Sequence, residues 1–176
     1  KIPPYSAPRR NADDQYTPDA LFVINSIVTA EPRLQYAPGI AYQTFAALLR
    51  TDQQKACEYG RRVIVTPTYT GPAIETITDV IEWTPDSVKL APEVYLLGAE
   101  AWQTFIDNFP YAEDIYLQDQ YAQMAEWYAR AGKKSKAVRA QQKAIEILKS
   151  KKDFSADDLA GYESRLRQYK TGHPLK

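Results

Sequence analysis

Apolar residues recur three or four positions apart along most of this chain, and prolines and glycines interrupt the pattern at intervals. This spacing places the apolar side chains of each segment on one face of an α-helix. A proline ends the helix before it, because it lacks a backbone N–H and disfavours helical geometry in the preceding residue. Residues 63–66 contain β-branched side chains typical of strands, but Pro67 follows at once, so we interpret them as a helix end. The pattern predicts an all-α chain with helices at about 18–30, 38–50, 53–64, 73–83, 92–108, 112–131, 133–150 and 155–170.

Three segments of different composition divide the chain. Residues 1–17 contain three prolines and no helical pattern, so we expect an extended arm. Residues 18–170 form one helical-repeat domain, since a chain of 176 residues is about one domain long and can bury a core. Residues 171–176 are predicted to form a flexible tail. The chain starts with Lys1 rather than Met, which is compatible with a removed signal peptide and with an excised neighbouring domain.

Charge and cysteine content exclude several classes of protein. Lys and Arg together number 22, as do Asp and Glu, whereas a nucleic-acid-binding surface needs an excess of positive charge. No apolar run approaches the roughly 18 residues of a membrane span. Cys57 is the only cysteine, so the chain cannot form an internal disulfide or a thiolate metal cluster. The common nucleotide, zinc-protease, serine-hydrolase and calcium motifs do not occur, so we expect no catalytic residue, no metal site and no cofactor.

The most specific motif surrounds Gly132. Large and small residues at helical spacing flank this glycine, at positions Tyr121, Met124, Ala125, Tyr128, Ala137, Ala144 and Ile145. Small residues let two helices approach closely, large residues fill the space toward neighbouring hairpins, and Gly132 permits a tight reversal. Over residues 118–150 this pattern resembles the tetratricopeptide repeat. The resemblance implies stacked antiparallel helical hairpins in an α–α superhelix, with the last helix as a cap.

The chain departs from the repeat pattern at three positions and repeats it irregularly. Tyr121 replaces the usual Trp, Gln141 replaces Phe, and Lys149 occupies the terminal Pro position, which indicates a longer second helix. Weaker copies of the small-residue position occur at Ala56 and Ala101, and successive copies are 45 and 36 positions apart, against about 34 in a regular array. We therefore expect irregular hairpins of one general type.

The resemblance also implies a function and a binding face. In tetratricopeptide proteins the first helix of each hairpin faces a concave surface that commonly binds extended peptides. The corresponding positions here are Asp119, Ala122, Glu126, Ala129 and Arg130, of which the three charged residues are the candidate contacts. Trp127 lies beside Tyr128 on the same helix and therefore points elsewhere, either to the next hairpin or into a groove. We expect a non-catalytic scaffold that binds another protein or a peptide.

A second resemblance concerns the context of the chain. Residues 124–137, with Lys151, Lys152 and Phe154 beyond them, resemble helical regions that accompany thioredoxin-like domains in some secreted bacterial proteins. This resemblance implies an accessory helical domain and favours a periplasmic or extracellular location over a cytoplasmic one. The Cys-x-x-Cys motif that marks the thioredoxin-like family is absent, so any redox chemistry would lie outside this chain.

The remaining reactive or charged residues have simple structural explanations. His173 is the only histidine and lies in the predicted tail, where no catalytic dyad would be held in place. Cys57 is expected to pack as a small apolar residue. The acidic pairs at 13–14, 113–114 and 157–158 point in different directions on a helix, and we interpret the last two as favourable charges near helix starts. We interpret the basic stretch 133–152 as a solvated face.

Two further functions stay open. The chain has 13 tyrosines and three tryptophans, and aromatic faces stack on sugar rings, so a carbohydrate-binding protein is one alternative. A helical enzyme is the other, because folding can bring distant carboxylates together.

Overall fold

The computed structural model describes residues 18–66, 70–108, 117–151 and 153–171. Within these ranges the chain forms eight α-helices and one short 3-10 helix, without any strand, which confirms the predicted all-α class. The helices are α1 (Pro18–Ala30), α2 (Pro38–Thr51), α3 (Gln53–Ile64), α4 (Thr70–Glu82), α5 (Pro92–Asn108), α6 (Leu117–Arg130), α7 (Lys134–Ser150) and α8 (Ala156–Thr171). The predicted arm at 1–17 and the tail beyond Thr171 lie outside the described residues.

The helix boundaries differ from the predicted ones at a few places. α4 begins at Thr70 rather than at 73, because Pro72 falls in the first helical turn, where a backbone N–H has no partner within the helix anyway. An unpredicted 3-10 helix, Pro32–Tyr36, follows α1. Thr171 belongs to α8 rather than to the tail. The predicted first residues of α6, 112–116, lie outside the described residues.

A tight turn joins α6 to α7. Gly132 has a φ of 72°, in the left-handed region that favours glycine. Its N–H donates to the carbonyl of Ala129 at 2.9 Å, and the N–H of Lys133 donates to the carbonyl of Tyr128 at 2.7 Å. These two hydrogen bonds form a Schellman motif, which satisfies the last carbonyls of α6 and reverses the chain. The predicted reversal at Gly132 is confirmed, and α6 and α7 share the most extensive contact among the described helices.

Helices α2 to α5 pack around one core. α2 contacts α3 and α4, and both of these helices contact α5. Phe45, Ile74 and Leu97, one each from α2, α4 and α5, are fully buried. Cys57 of α3 packs in the same core, as predicted. Because burying one large apolar side chain contributes roughly 1.5–3 kcal/mol, this cluster anchors the first half of the domain.

Helices α6 to α8 extend this body from α5. α6 contacts α5 and α7, and α7 contacts α8. Met124 of α6, Ala137 of α7 and Tyr169 of α8 are buried together in a second core. Ser155 caps α8 as predicted, because its hydroxyl accepts the backbone N–H of Asp158 at 3.0 Å.

The first helix packs more lightly than the others. α1 contacts α2 and the 3-10 helix. It buries Ile24, whereas Phe22 and Val23 are exposed. Among the described helices, α1 included, none is both long and apolar enough to span a membrane.

Candidate functional site

An open cavity of about 570 Å³ lies between α4, α5 and α6. It is lined by the end of α4, the connection at 84–90, Tyr95 of α5 and one face of α6. The α6 residues that line it are Gln123, Glu126, Trp127 and Arg130. Its volume lies within the range of about 300–1,000 Å³ that is typical of ligand sites. We refer to this cavity as the groove.

The connection between α4 and α5 is held in place by a side chain from α3. The amide nitrogen of Gln53 donates to the carbonyl of Lys89 at 2.9 Å, and its amide oxygen accepts the N–H of Ala91 at 2.7 Å. A further bond inside the connection runs from the N–H of Val88 to the carbonyl of Pro85 at 2.9 Å. One wall of the groove is therefore a fixed loop.

Trp127 forms the buried base of the opposite wall. The residue is only 4% exposed and belongs to the core of α2 to α5, although it lies on α6. Its ring lies directly against Gly98 of α5: a β-carbon added there would stand 2.6 Å from the indole ring. Trp127 thus packs on α5, which precedes α6, rather than on the next hairpin as one prediction had it, and it is also among the residues that line the groove.

Arg130 and Glu126 form a charged pair above Trp127. The Arg130 Nη2 lies 2.7 Å from Glu126 Oε1, and Nη1 donates to the hydroxyl of Tyr95 at 3.3 Å. The guanidinium also covers the Tyr95 ring, 5.4 Å from its centroid. Partial burial lowers the pKa of Arg130, but the hydrogen bond to Tyr95 and the charge of Glu126 outweigh it and raise the pKa overall. The cation is thus fixed and largely neutralised by its own neighbours.

Gln123 is positioned one turn earlier on α6. Its side-chain oxygen accepts the indole N–H of Trp102 at 2.5 Å. Trp102 in turn packs edge-on against Phe105, with ring centroids 5.7 Å apart. Neighbouring aromatic rings on α5 thus hold Gln123 at the groove wall.

Asp119, the fourth predicted contact residue, is not part of the groove. It lies two turns before Glu126 on α6, which is roughly 10 Å along the helix axis. There its carboxylate accepts hydrogen bonds from the hydroxyl of Tyr162 on α8 and from the amide of Gln118. Burial and this hydrogen bond raise the pKa of Tyr162 above its usual range. In this structure Asp119 therefore connects α6 to α8.

The rim of the groove carries side chains that the sequence analysis did not single out. Glu82, Asp86 and Lys89 line the groove and are exposed. Trp83 stands between two lining residues in the chain and is 59% exposed, which is unusual for so large an apolar side chain. The missed signal was the segment 82–89 itself, which carries a tryptophan, two carboxylates and one lysine at and after the end of α4 rather than in repeat-framework positions.

Other candidate groups lie away from the groove or outside the described residues. Cys57 is buried, and burial raises the pKa of its thiol. His173 and the acidic pairs at 13–14 and 113–114 fall outside the described residues. In the basic stretch, Lys149 pairs with Glu163 at 3.2 Å, and Lys136 lies over the ring of Tyr128 at 5.3 Å.

No family model, curated protein or solved structure matches this chain. Where the structure describes the chain, no group of three or more His, Cys, Asp or Glu side chains is arranged to hold a metal ion. The functional assignment therefore rests on the groove and on the helices that form it.

Proposed function

We propose that this protein is a non-catalytic scaffold that binds an extended segment of another protein in the groove. One observation carries the proposal: Glu126, Trp127 and Arg130 line the same groove, which has a fixed loop as its other wall. A mixed lining of aromatic, apolar and charged side chains suits a peptide, because the backbone and side chains of a peptide present all three kinds of partner.

The order of the helices supports a tetratricopeptide-like arrangement. α2–α3, α4–α5 and α6–α7 are consecutive pairs in contact, and α8 packs on α7. The small-residue positions Ala56, Ala101 and Ala137 lie in the second helix of each pair and are fully buried. The groove lies between α4 and α6, which are first helices of their pairs. That is the face on which the resemblance implies peptide binding.

Trp83 supports a protein partner over a small molecule. Exposed tryptophans are costly in water and are enriched among the residues that dominate protein–protein binding energy. Trp83 borders the groove without filling it, since its chain neighbours Glu82 and Thr84 are the lining residues. A peptide in the groove would cover this ring.

A peptide-display selection tests the proposal. A phage library of random dodecapeptides is selected on the purified protein, and each recovered peptide is measured against Val88→Tyr, which places a ring in the groove. The matched control is Val65→Tyr, because Val65 is 69% exposed and lies at the end of α3, outside the groove lining.

We expect to recover peptides that bind the wild type and Val65→Tyr with equal affinity. Val88→Tyr and Trp83→Ala should each weaken their binding at least about tenfold. The Val88→Tyr ring blocks the groove, and truncating a hot-spot residue such as Trp83 costs about 2 kcal/mol or more. The proposal is wrong if no peptide is recovered, or if every recovered peptide binds Val88→Tyr as tightly as the wild type.

One observation favours a carboxylate enzyme as the second candidate: Glu82, Asp86 and Glu126 line the same groove. We rank it lower because Glu126 is held by Arg130. Substrate turnover that is abolished by Glu82→Gln or Asp86→Asn would reverse this ranking. The glycan alternative has less support, because Arg130 covers the Tyr95 face and Trp127 is buried.

A further inference from the structure

The end of α4 presents uncompensated negative charge to the groove. α4 carries Glu75, Asp79 and Glu82, at spacings of four and three that place them on one face, and its sequence contains no Lys or Arg. The C-terminus of a helix also carries partial negative charge, which a basic residue in the last turn usually offsets. α4 has no basic residue there, so this wall of the groove is acidic.

The connection after α4 adds a second carboxylate. Asp86 is exposed and lines the groove. Neither it nor Glu82 enters an ion pair with any residue that the structure describes. Arg130 on the opposite wall is already paired with Glu126 at 2.7 Å. Among the described lining residues, Lys89 is thus the one cation besides the paired Arg130, against the carboxylates of Glu82, Asp86 and Glu126, so this lining carries net negative charge.

Asp79, one turn before Glu82, responds to the same negative charge. Its pKa is raised to about 6, mainly by burial and then by the carboxylates of Glu75 and Glu82. Neighbouring negative charge disfavours the ionised form of an acid and favours a cation placed nearby. The surroundings of α4 therefore attract positive charge.

We infer that the groove binds a segment that presents a lysine or arginine side chain to Glu82 and Asp86 at the end of α4. An apolar neighbour of that side chain packs on the half-buried Val88 and Leu90. Trp83 follows Glu82 in the chain and is exposed, so its ring is accessible to the same segment. This inference rests on the proposed function and specifies the chemistry of the partner.

Charge substitutions in peptide and protein test the inference. Peptides recovered from the dodecapeptide library are synthesised with a fluorescein label, together with versions in which each Lys or Arg is replaced by Gln or by Glu. Their affinities are measured by fluorescence anisotropy for the wild type, for Glu82→Lys/Asp86→Lys, and for the control Glu146→Lys. Glu146 is exposed on α7 and does not line the groove.

We expect the recovered peptides to be rich in Lys or Arg, and replacement by Gln to weaken binding about tenfold. The double variant should prefer the Glu versions, while Glu146→Lys behaves as the wild type. If the peptides whose binding is blocked by Val88→Tyr are neutral or acidic, the inference is wrong and the proposed function stands. The same holds if they bind the double variant as tightly as the wild type. If the library yields no groove-dependent peptide, the proposed function fails and the inference with it.

Discussion

At the level of single residues, Gly98 of α5 lies where the Trp127 ring of α6 packs against α5. The ring of Trp127 occupies the space that a β-carbon would take, and the Ile81 side chain lies 3.1 Å from that point. Both neighbours are buried, so an added methyl displaces side chains that are already packed. A glycine in a helix interior lowers helix stability, so its presence here reflects packing rather than helix formation.

We expect Gly98→Ala to destabilise the protein by about 1–3 kcal/mol, because the added methyl overlaps the Trp127 ring. Chemical denaturation measures the change. The matched control is Gly161→Ala in α8, where nothing lies within 4 Å of the added β-carbon. That variant should gain about 0.5–1 kcal/mol from helix propensity. Equal effects of the two substitutions would contradict the packing assignment of Gly98.

Asp79 is a carboxylic acid whose ionisation the fold opposes. Its pKa rises from 3.8 to about 6 in the folded protein, so the folded state binds a proton more tightly than the unfolded state. Stability therefore falls as the pH rises through this window, because the carboxylate must ionise in unfavourable surroundings.

We expect Asp79→Asn to be more stable than the wild type near neutral pH by about 1 kcal/mol, a value discounted for the partial exposure of the side chain. The gain should disappear below about pH 4, where both folded and unfolded wild type are protonated. Urea denaturation at several pH values tests this, with the exposed Asp153→Asn as the control. A gain that is independent of pH would show that ionisation is not its cause.

At the level of secondary-structure elements, the α6–α7 hairpin depends on its turn. The Schellman hydrogen bonds from Gly132 and Lys133 require a left-handed residue at 132. The N-terminus of α7 has no stabilising side chain of its own, because its first turn contains no acidic residue and Lys133 forms no side-chain cap. The turn geometry therefore carries more of the hairpin's stability than the start of α7 does.

We expect Gly132→Ala to cost about 1 kcal/mol, since a β-carbon in the left-handed region is strained. The thermal midpoint of unfolding should fall by a few degrees. Gly39→Ala, near the start of α2, is the control: its β-carbon also meets nothing within 4 Å, but its φ is not positive. An unchanged midpoint for Gly132→Ala would refute the role of the turn.

At the level of the whole molecule, Trp127 joins the two halves. Met124 and Ala125 of α6 pack in the core shared with α7 and α8, whereas the Trp127 ring enters the core of α2 to α5. α6 to α8 contact the first body mainly through α5, and among the described residues Trp127 is the buried α6 side chain that enters that body's core. The groove forms at that junction, so its shape depends on how the two halves are joined.

We expect Trp127→Ala to cost about 3–5 kcal/mol and to split a single unfolding transition into two, because α6 to α8 lose their anchor. Trp83→Ala is a matched control, since this tryptophan is 59% exposed; it should change stability by no more than about 0.5 kcal/mol. Denaturation followed by circular dichroism distinguishes the two outcomes. A small cost and a single transition for Trp127→Ala would contradict this account.

Local signals in the sequence were sufficient to predict most of the helices and the reversal at Gly132. Apolar spacing, prolines and a glycine act through local geometry, and local geometry depends on residues close in the chain. Local pattern also placed Cys57 in the core. The resemblance to the tetratricopeptide repeat, rather than spacing, selected Asp119, Glu126 and Arg130, and Trp127 was singled out because it points away from Tyr128.

Which of these residues contact one another depends on how the helices pack. Tyr162 donates a hydrogen bond to Asp119, which lies 43 positions earlier in the chain. Gln53 donates one to the carbonyl of Lys89, which lies 36 positions later. Such pairings follow from how helices pack, and spacing within one helix does not encode them. The acidic wall at Glu82 and the exposed Trp83 therefore became a candidate site only when α4 and α6 were seen to face the same groove.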